Sequence, residues 1–200
     1  MVLHVDQLSL SRGDRPLIVG FDLHVQPGQL IHLRGANGCG KTSLLETLAG
    51  LRRADSGSIE THPDPLPQHW IGHRNALAVQ LSALENLEFW CGLNGIDRAR
   101  AKPALARVAL PAAAQRRAVR TLSAGQKRRS AIARLLLESR PLWLLDEPLD
   151  GLDVDGLALM SALLSEHLCA GGAVVMTSHQ PLPQALPVRF VELADWRATA

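Results

Sequence analysis

Leu30-Ile31-His32-Leu33 runs through Arg34 into Gly35-Ala36-Asn37-Gly38-Cys39-Gly40-Lys41-Thr42, and this junction decides the fold. The octet matches G-x-x-x-x-G-K-[ST] at every fixed position. The apolar quartet before it reads as a strand. Behind it, Leu44, Leu48 and Leu51 recur at i, i+4 and i+7, one face of a helix that Gly50 stops. Glycines let backbone N–H groups turn inward around phosphate oxygens, and the helix presents its positive N-terminal end to the same charge. Lys41 is placed to reach β- and γ-phosphates, the Thr42 hydroxyl to ligate Mg²⁺, and Ser43 to add a phosphate contact. Gly35, Ala36, Asn37, Gly38, Cys39, Gly40, Lys41, Thr42 and Ser43 are therefore the expected nucleotide-binding residues, with Cys39 a small loop residue and not a redox group.

Further along, Leu142-Trp143-Leu144-Leu145 is an apolar strand that ends in Asp146-Glu147-Pro148. Alone it reads as a strand closing in a polar turn. Paired with a phosphate loop, the first acid holds Mg²⁺ and the second polarises an attacking water, which assigns Asp146 to the metal and Glu147 to the general base. His179 follows the strand Ala173 to Met176 within Thr177-Ser178-His179-Gln180. That is the strand end at which ligands bind in an α/β sheet, so His179 is a second catalytic candidate, touching the γ-phosphate or positioning water. His4, His24, His32, His62, His69, His73 and His167 hold no such position.

Leu122-Ser123-Ala124-Gly125-Gln126 places a serine and a glycine at a helix start, a second anion-binding helix N-terminus. One phosphate loop is already complete, so this second turn is expected to serve a neighbour's nucleotide. Lys127-Arg128-Arg129 reads either as a solvated basic face or as reinforcement of that positive end.

The remaining chain organises around these motifs. Leu3, Val5, Leu8 and Leu10, then Leu17 to Val25, read as two short strands joined at Gly13-Asp14-Arg15-Pro16. Residues 61–69, with Pro63, Pro65 and Pro67, read as a loop. Ser82-Ala83-Leu84-Glu85 has capping-box spacing and opens a helix through Leu93. A helical stretch from Asp97 is interrupted by Pro103. The next helix starts near Ser123, with Ala131, Ile132, Leu135 and Leu136 as its apolar face, and another runs from Asp153 to Leu168. The expected fold is α/β: one domain over residues 1–200, with a nucleotide-binding core at 1–74 and 141–200 and a helical lobe at about 75–140.

Composition narrows the partners. A net charge of +2 is too near balance to point to nucleic acid. Cys39, Cys91 and Cys169 lie far apart, which argues against a disulfide framework, a thiolate zinc site or covalent haem, and for a reducing compartment. Asp6, Arg12 and Asp14 interrupt any secretory signal, and no apolar run approaches the roughly 18 residues of a membrane span. Any role at a membrane is expected to run through another chain.

G-A-N-G-C-G-K-T, L-S-A-G-Q, L-W-L-L-D-E-P, the G-L-D at Gly151 to Asp153 and T-S-H, in this order, resemble an ABC-transporter ATPase subunit over essentially the whole chain. The resemblance implies a P-loop NTPase core of the ABC-ATPase type, with a small antiparallel β region and an inserted α-helical lobe. It implies ATP and Mg²⁺, and two copies packed head to tail. Ser123, Gly125 and Gln126 of one copy then close over nucleotide in the other's loop. W-I-G-H, L-S-A-L-E-N-L-E-F-W, L-S-A-G-Q-K-R-R and T-S-H-Q-P-L more narrowly resemble the ATP-binding subunit of the cytochrome c maturation transporter, the CcmA family. That resemblance implies ATP hydrolysis coupled to haem export, integral membrane partner subunits, and the cytoplasmic face of the bacterial inner membrane. The alternatives are another small ABC exporter, or a soluble mechanical ATPase of the same superfamily. The second of these normally needs long coiled-coil arms or two fused ATPase units, which this sequence lacks. A metabolic kinase does not account for L-S-A-G-Q.

Three positions depart from the family pattern. Arg74 stands where a glutamine usually links metal and membrane subunit, and arginine neither accepts a hydrogen bond nor ligates a cation. Arg12 stands near the position of the aromatic that stacks on adenine, where a guanidinium can also stack. Asp150-Gly151 replaces the usual small pair before Leu152-Asp153. Around Arg74 to Trp90, Leu77, Val79, Leu81 and Trp90 form either an apolar notch for a partner's helix or part of the lobe's own core.

Overall fold

The computed structural model describes residues 1–182 and 186–196. Two strands joined across Gly13-Asp14, β1 (Leu3–Arg12) and β2 (Arg15–Val25), are followed by β3 (Leu30–Arg34), α1 (Lys41–Leu48), β4 (Ser56–Thr61) and β5 (Gln68–Ile71). Helices α2 (Ala83–Leu93), α3 (Ala101–Arg107), α4 (Ala112–Gln115) and α5 (Ala124–Ile132) precede β6 (Leu142–Leu145), α6 (Val154–Cys169), β7 (Ala173–Thr177) and β8 (Val188–Glu192). The described residues form two units: 1–70, 140–147, 163–182 and 186–196, and 71–139 with 148–162.

The first unit holds two sheets. One is antiparallel and three-stranded, in the order β2-β1-β4. Its register slips between Val5 and Leu8, where Gln7 takes a φ of 47°. The Gln7 backbone N–H and Nε2 both donate to the Asp22 carboxylate, each at 2.8 Å. This bulge lets Val5, Leu8 and Leu10 all stay buried although Asp6-Gln7 breaks the alternation between them. The second sheet has the order β5-β6-β7-β3-β8, with β6, β7, β3 and β8 mutually parallel. Every residue of β6 and β7 is buried, which is why both read as unbroken apolar runs. Leu145 pairs with Met176 and Leu33 with Thr177, so the carboxyl ends of β6, β7 and β3 lie level. The Trp143 ring stacks on His167 at 3.9 Å, and His167 Nε2 bonds the Ala173 carbonyl at 3.2 Å. A Cβ on Gly172 would fall 2.1 Å from the His167 ring, so only glycine fits there.

In the second unit, Ser82 caps α2 as anticipated: its Oγ accepts the Glu85 N–H at 3.2 Å, and the Glu85 carboxylate accepts the Ser82 N–H at 2.7 Å. The Ser82 N–H, and then the Ser82 hydroxyl, both donating to it, hold the Glu85 carboxyl below its ordinary range. Pro103 sits in the first turn of α3, after a short 3₁₀ turn capped by Asp97, and costs no intrahelical bond there. Of the α5 basic run, Lys127 is half-buried, whereas Arg128 and Arg129 are buried and committed to internal partners. Arg128, 3% exposed, donates to the carbonyls of Pro148 (3.1 Å) and Gly72 (3.0 Å) and to Asn75 Oδ1 (3.0 Å). Arg129 pairs with Asp153 at 2.6 Å, which lowers the Asp153 pKa. Arg134, further along, donates to the Asn75 carbonyl at 3.1 Å and lies over the Trp90 ring. Burial, then the nearby charge of Arg128, pushes the Arg134 pKa down to about 10, so it remains a cation at neutral pH.

The α/β class and the small antiparallel region agree with the sequence. Three strands were not legible there: β4, β8, and β5, whose Gln68 and His69 fall inside the expected 61–69 loop. The notch residues divide. Val79 is exposed, Leu77, Leu81 and Trp90 are half-buried, and Ala83, Leu87 and Cys91 supply the core instead. Among the described residues, no helix is long and apolar enough to cross a membrane.

Candidate functional site at the phosphate loop

The loop between β3 and α1 takes its shape from two crowded glycines. Gly40 has a φ of 111°, and a Cβ there would meet Ile18 Cδ1 at 3.2 Å and Leu17 Cβ at 3.3 Å. Gly35 has a φ of 147°, and its Cβ would lie 2.7 Å from Cys39 Sγ. The Cys39 side chain is thus buried packing beneath Gly35. Gly40 is also the N-cap of α1, which has no side-chain cap and no acid in its first turn. The first-turn N–H groups of α1 therefore face outward with a helix dipole behind them and no counter-charge of their own. Lys41 Nζ donates to the Gly35 carbonyl at 2.8 Å and the Ala36 carbonyl at 3.2 Å, bending across the loop mouth.

The strand ends supply the acids. Thr42 Oγ1 donates to Asp146 Oδ2 at 2.8 Å, and Thr177 Oγ1 donates to Asp146 Oδ1 at 2.7 Å. Thr177 Oγ1 in turn accepts the Glu147 N–H at 2.9 Å. Glu147 itself is 7% exposed and holds a φ of 50°, a left-handed conformation that costs a side-chain-bearing residue about 1–2 kcal/mol. Its carboxylate accepts the His179 N–H at 2.9 Å, and its Oε1 lies 3.5 Å from His179 Nε2. A cavity of about 400 Å³ opens here, lined by residues that include His32, Gly35, Lys41, Ser178 and His179.

Every residue expected at the phosphate loop, with Asp146, Glu147 and His179, lies in the first unit at the carboxyl ends of β3, β6 and β7. Thr177, to which the sequence reading gave no role, ties the two acids together. Its one signal was a hydroxyl at the end of a fully apolar strand. The Thr42 hydroxyl and Asp146 carboxylate, side by side, are hard oxygen donors of the kind that Mg²⁺ takes alongside phosphates and water. Among the described residues, no group of three or more His, Cys, Asp or Glu side chains is placed to hold a metal ion.

Ser123, Gly125 and Gln126 belong to the second unit. Ser123 Oγ accepts the Gln126 N–H at 3.2 Å, and Gln126 Oε1 accepts the Ser123 N–H at 3.1 Å, a reciprocal cap at the start of α5. A Cβ on Gly125 would come within 2.9 Å of the Gly151 carbonyl, which explains glycine at that position. Arg74 and Arg12 are both exposed, the latter at the end of β1.

The ABC transporter family profile matches residues 18–150. The cytochrome c biogenesis ATP-binding export protein CcmA of Methylococcus capsulatus is 46% identical over 191 residues, covering 90% of this chain and 92% of that protein. CcmA of Rhodobacter capsulatus is 41% identical, covering 98% and 89%. Among solved structures, an ATP-binding ABC transporter protein from Pyrococcus furiosus superposes with a TM-score of 0.84 at 22% identity, covering 99% of this chain and 100% of that one. A dimeric ATP-binding cassette in a post-hydrolysis state, bound to ADP and Pi, gives 0.75 at 22% identity, covering 89% and 88%. The chain is an ATPase of the ABC transporter family and belongs, within it, to the CcmA proteins.

Proposed function

We propose that this ABC ATPase drives a membrane exporter in cytochrome c biogenesis, with haem or a haem-bearing complex as cargo, from the cytoplasmic face of a bacterial inner membrane. The observation that carries the ATPase mechanism is the meeting of Thr42, Asp146, Glu147 and His179 beside an uncapped helix N-terminus. The names of the relatives support the export role. In this reading Gly35 to Ser43 cradle the phosphates and Lys41 leaves the loop carbonyls for the β- and γ-phosphates. Thr42 and Asp146 hold Mg²⁺, which when bound neutralises phosphate charge. Glu147 takes a proton from water as its oxygen bonds to the γ-phosphorus and the bond to the bridging oxygen of ADP breaks. ADP and phosphate leave. His179 steadies the Glu147 carboxylate and the γ-phosphate.

The turn at Ser123, Gly125 and Gln126 acts on nucleotide held by a second copy of the chain, head to tail. Membrane subunits dock around Arg74 to Trp90, where Val79 and Phe89 are exposed. The test is co-purification from membranes with and without neighbouring membrane subunits, with haem absorbance and phosphate release followed together. The reading expects partner-dependent membrane association and slow hydrolysis that rises with the partners. Equal rates with and without them contradict coupling.

A further inference from the structure

One peptide unit in the first unit is held at both of its polar ends by side chains. The interstrand pairing of β3 with β7 reaches only Leu33 and Thr177, so Ser178 and His179 lie beyond the ladder. The carbonyl of Ser178 bonds His32 Nε2 at 3.1 Å. The N–H of the same peptide, which belongs to His179, donates to Glu147 Oε2 at 2.9 Å. In a trans peptide these two groups point in opposite directions. His32 on β3 and Glu147 after β6 therefore grip one plane from opposite sides and fix the torsions from which the His179 ring projects.

His32 is an odd residue for packing alone. It is 4% exposed, its ring leans on Phe190, and its Nδ1 has no hydrogen-bond partner. A carbonyl acceptor requires the proton on Nε2, so Nδ1 is left as a buried lone pair, which costs stability that a leucine would not. Burial, then Arg34 and Lys41, also lower its pKa against the opposing Ser178 carbonyl and Glu192, so the ring is neutral near pH 7. What the histidine supplies and leucine cannot is one donor to the Ser178 carbonyl.

We infer that His32 is a positioning residue for ATP hydrolysis: it clamps the Ser178–His179 peptide, so that His179 and the Glu147 carboxylate keep the geometry that activates water. The inference rests on the proposed roles of Glu147 and His179. The test compares phosphate release, KM for ATP and thermal midpoint in His32→Leu, His32→Asn, His32→Gln and His179→Ala. Glutamine carries its donor about as far as Nε2, whereas asparagine keeps polarity and falls short. His32→Leu and His32→Asn are expected to lower kcat about tenfold or more, as a misplaced catalytic group does, with KM within about twofold. His32→Gln is expected to recover most of kcat, and the thermal midpoint of His32→Leu to stay level or rise. If His32→Leu does not fold, the Asn and Gln variants carry the contrast. Full kcat in His32→Asn, or equal loss in Gln and Asn, overturns the clamp. So does a joint fall of kcat, affinity and thermal midpoint, which marks a merely structural residue. An unimpaired His179→Ala instead overturns the catalytic reading of His179, and a slow His32→Asn beside it leaves the clamp acting through Glu147 alone.

Discussion

Helices α1 and α5 both start at a glycine-bearing turn that resembles an anion site, yet their ends are finished differently. The N-cap of α1 is Gly40, with no side chain to satisfy the first-turn N–H groups and no acid to offset the dipole. The start of α5 is closed on itself by Ser123 and Gln126. A helix end that lacks its own acceptors leaves its first N–H groups to water or a ligand, whereas a capped end meets part of that demand from within the chain. The phosphate loop is thus a candidate anion site whose residues all lie in one unit of one chain. The α5 turn is already closed by its own side chains, and in the proposed head-to-tail pair only the Ser123 hydroxyl hydrogen and the turn backbone are left for a nucleotide held by another copy.

The largest expected effects fall where α1 meets the strand ends. Glu147→Gln should cut phosphate release by on the order of 10²–10⁴-fold, the usual worth of a general base. ATP binding should persist, and the ATP-bound dimer should accumulate in size-exclusion runs. A variant that stays monomeric in saturating ATP breaks the assignment. Lys41→Ala should cost on the order of 10²–10³-fold in turnover, together with measurable ATP affinity by calorimetry. Its thermal midpoint should hardly change, because Lys41 bonds only two loop carbonyls.

The contrast sharpens at α5. Aspartate caps helices about as well as serine, so Ser123→Asp should leave stability within about 0.5 kcal/mol while placing a negative charge where a partner's phosphate must approach. Monomeric ATP binding should survive and ATP-dependent dimerisation should fail. Ser123→Ala should do the reverse in part: it removes the cap and costs about 1 kcal/mol of stability, read by chemical denaturation. If Ser123→Asp dimerises and hydrolyses normally, the α5 turn is structural and nothing more.

The smallest effect concerns acid. Burial lowers the pKa of both His32 and His167 in the folded chain. The unfolded chain then binds more protons once pH falls below the ordinary histidine value of about 6.5, so stability is full above that pH and declines as pH drops through the lowered folded values. A thermal midpoint that falls between pH 7.5 and 5.5, and falls less in His32→Gln, would bear this out.

How far the sequence led follows the same division. The phosphate loop, the Asp146-Glu147 pair and the parallel strands were legible because each imposes a fixed residue type: glycine where a Cβ does not fit, unbroken apolarity where both sheet faces are covered. β4 was not, since Ser56-Gly57-Ser58-Ile59-Glu60-Thr61 buries little and has only Ile59 to mark a face. Arg128 and Arg129 read as a solvated face or as reinforcement of a helix end, because composition cannot reveal that backbone carbonyls and Asp153 wait to receive them. In the sequence His32 is one of seven histidines that hold no strand-end position like that of His179. The role of His32 depends on the Ser178 carbonyl, 146 residues away, and no local pattern carries that contact.

The central claim is that the α1 end of one copy and the α5 end of another act on a single nucleotide. Mixing Lys41→Ala with Ser123→Asp tests it most directly. Each variant is expected to be inactive alone. In a mixed pair, one composite site has the unaltered loop of the Ser123→Asp chain and the unaltered turn of the Lys41→Ala chain. Phosphate release in the mixture should rise well above the sum of the two separate variants. A mixture no faster than that sum contradicts the account.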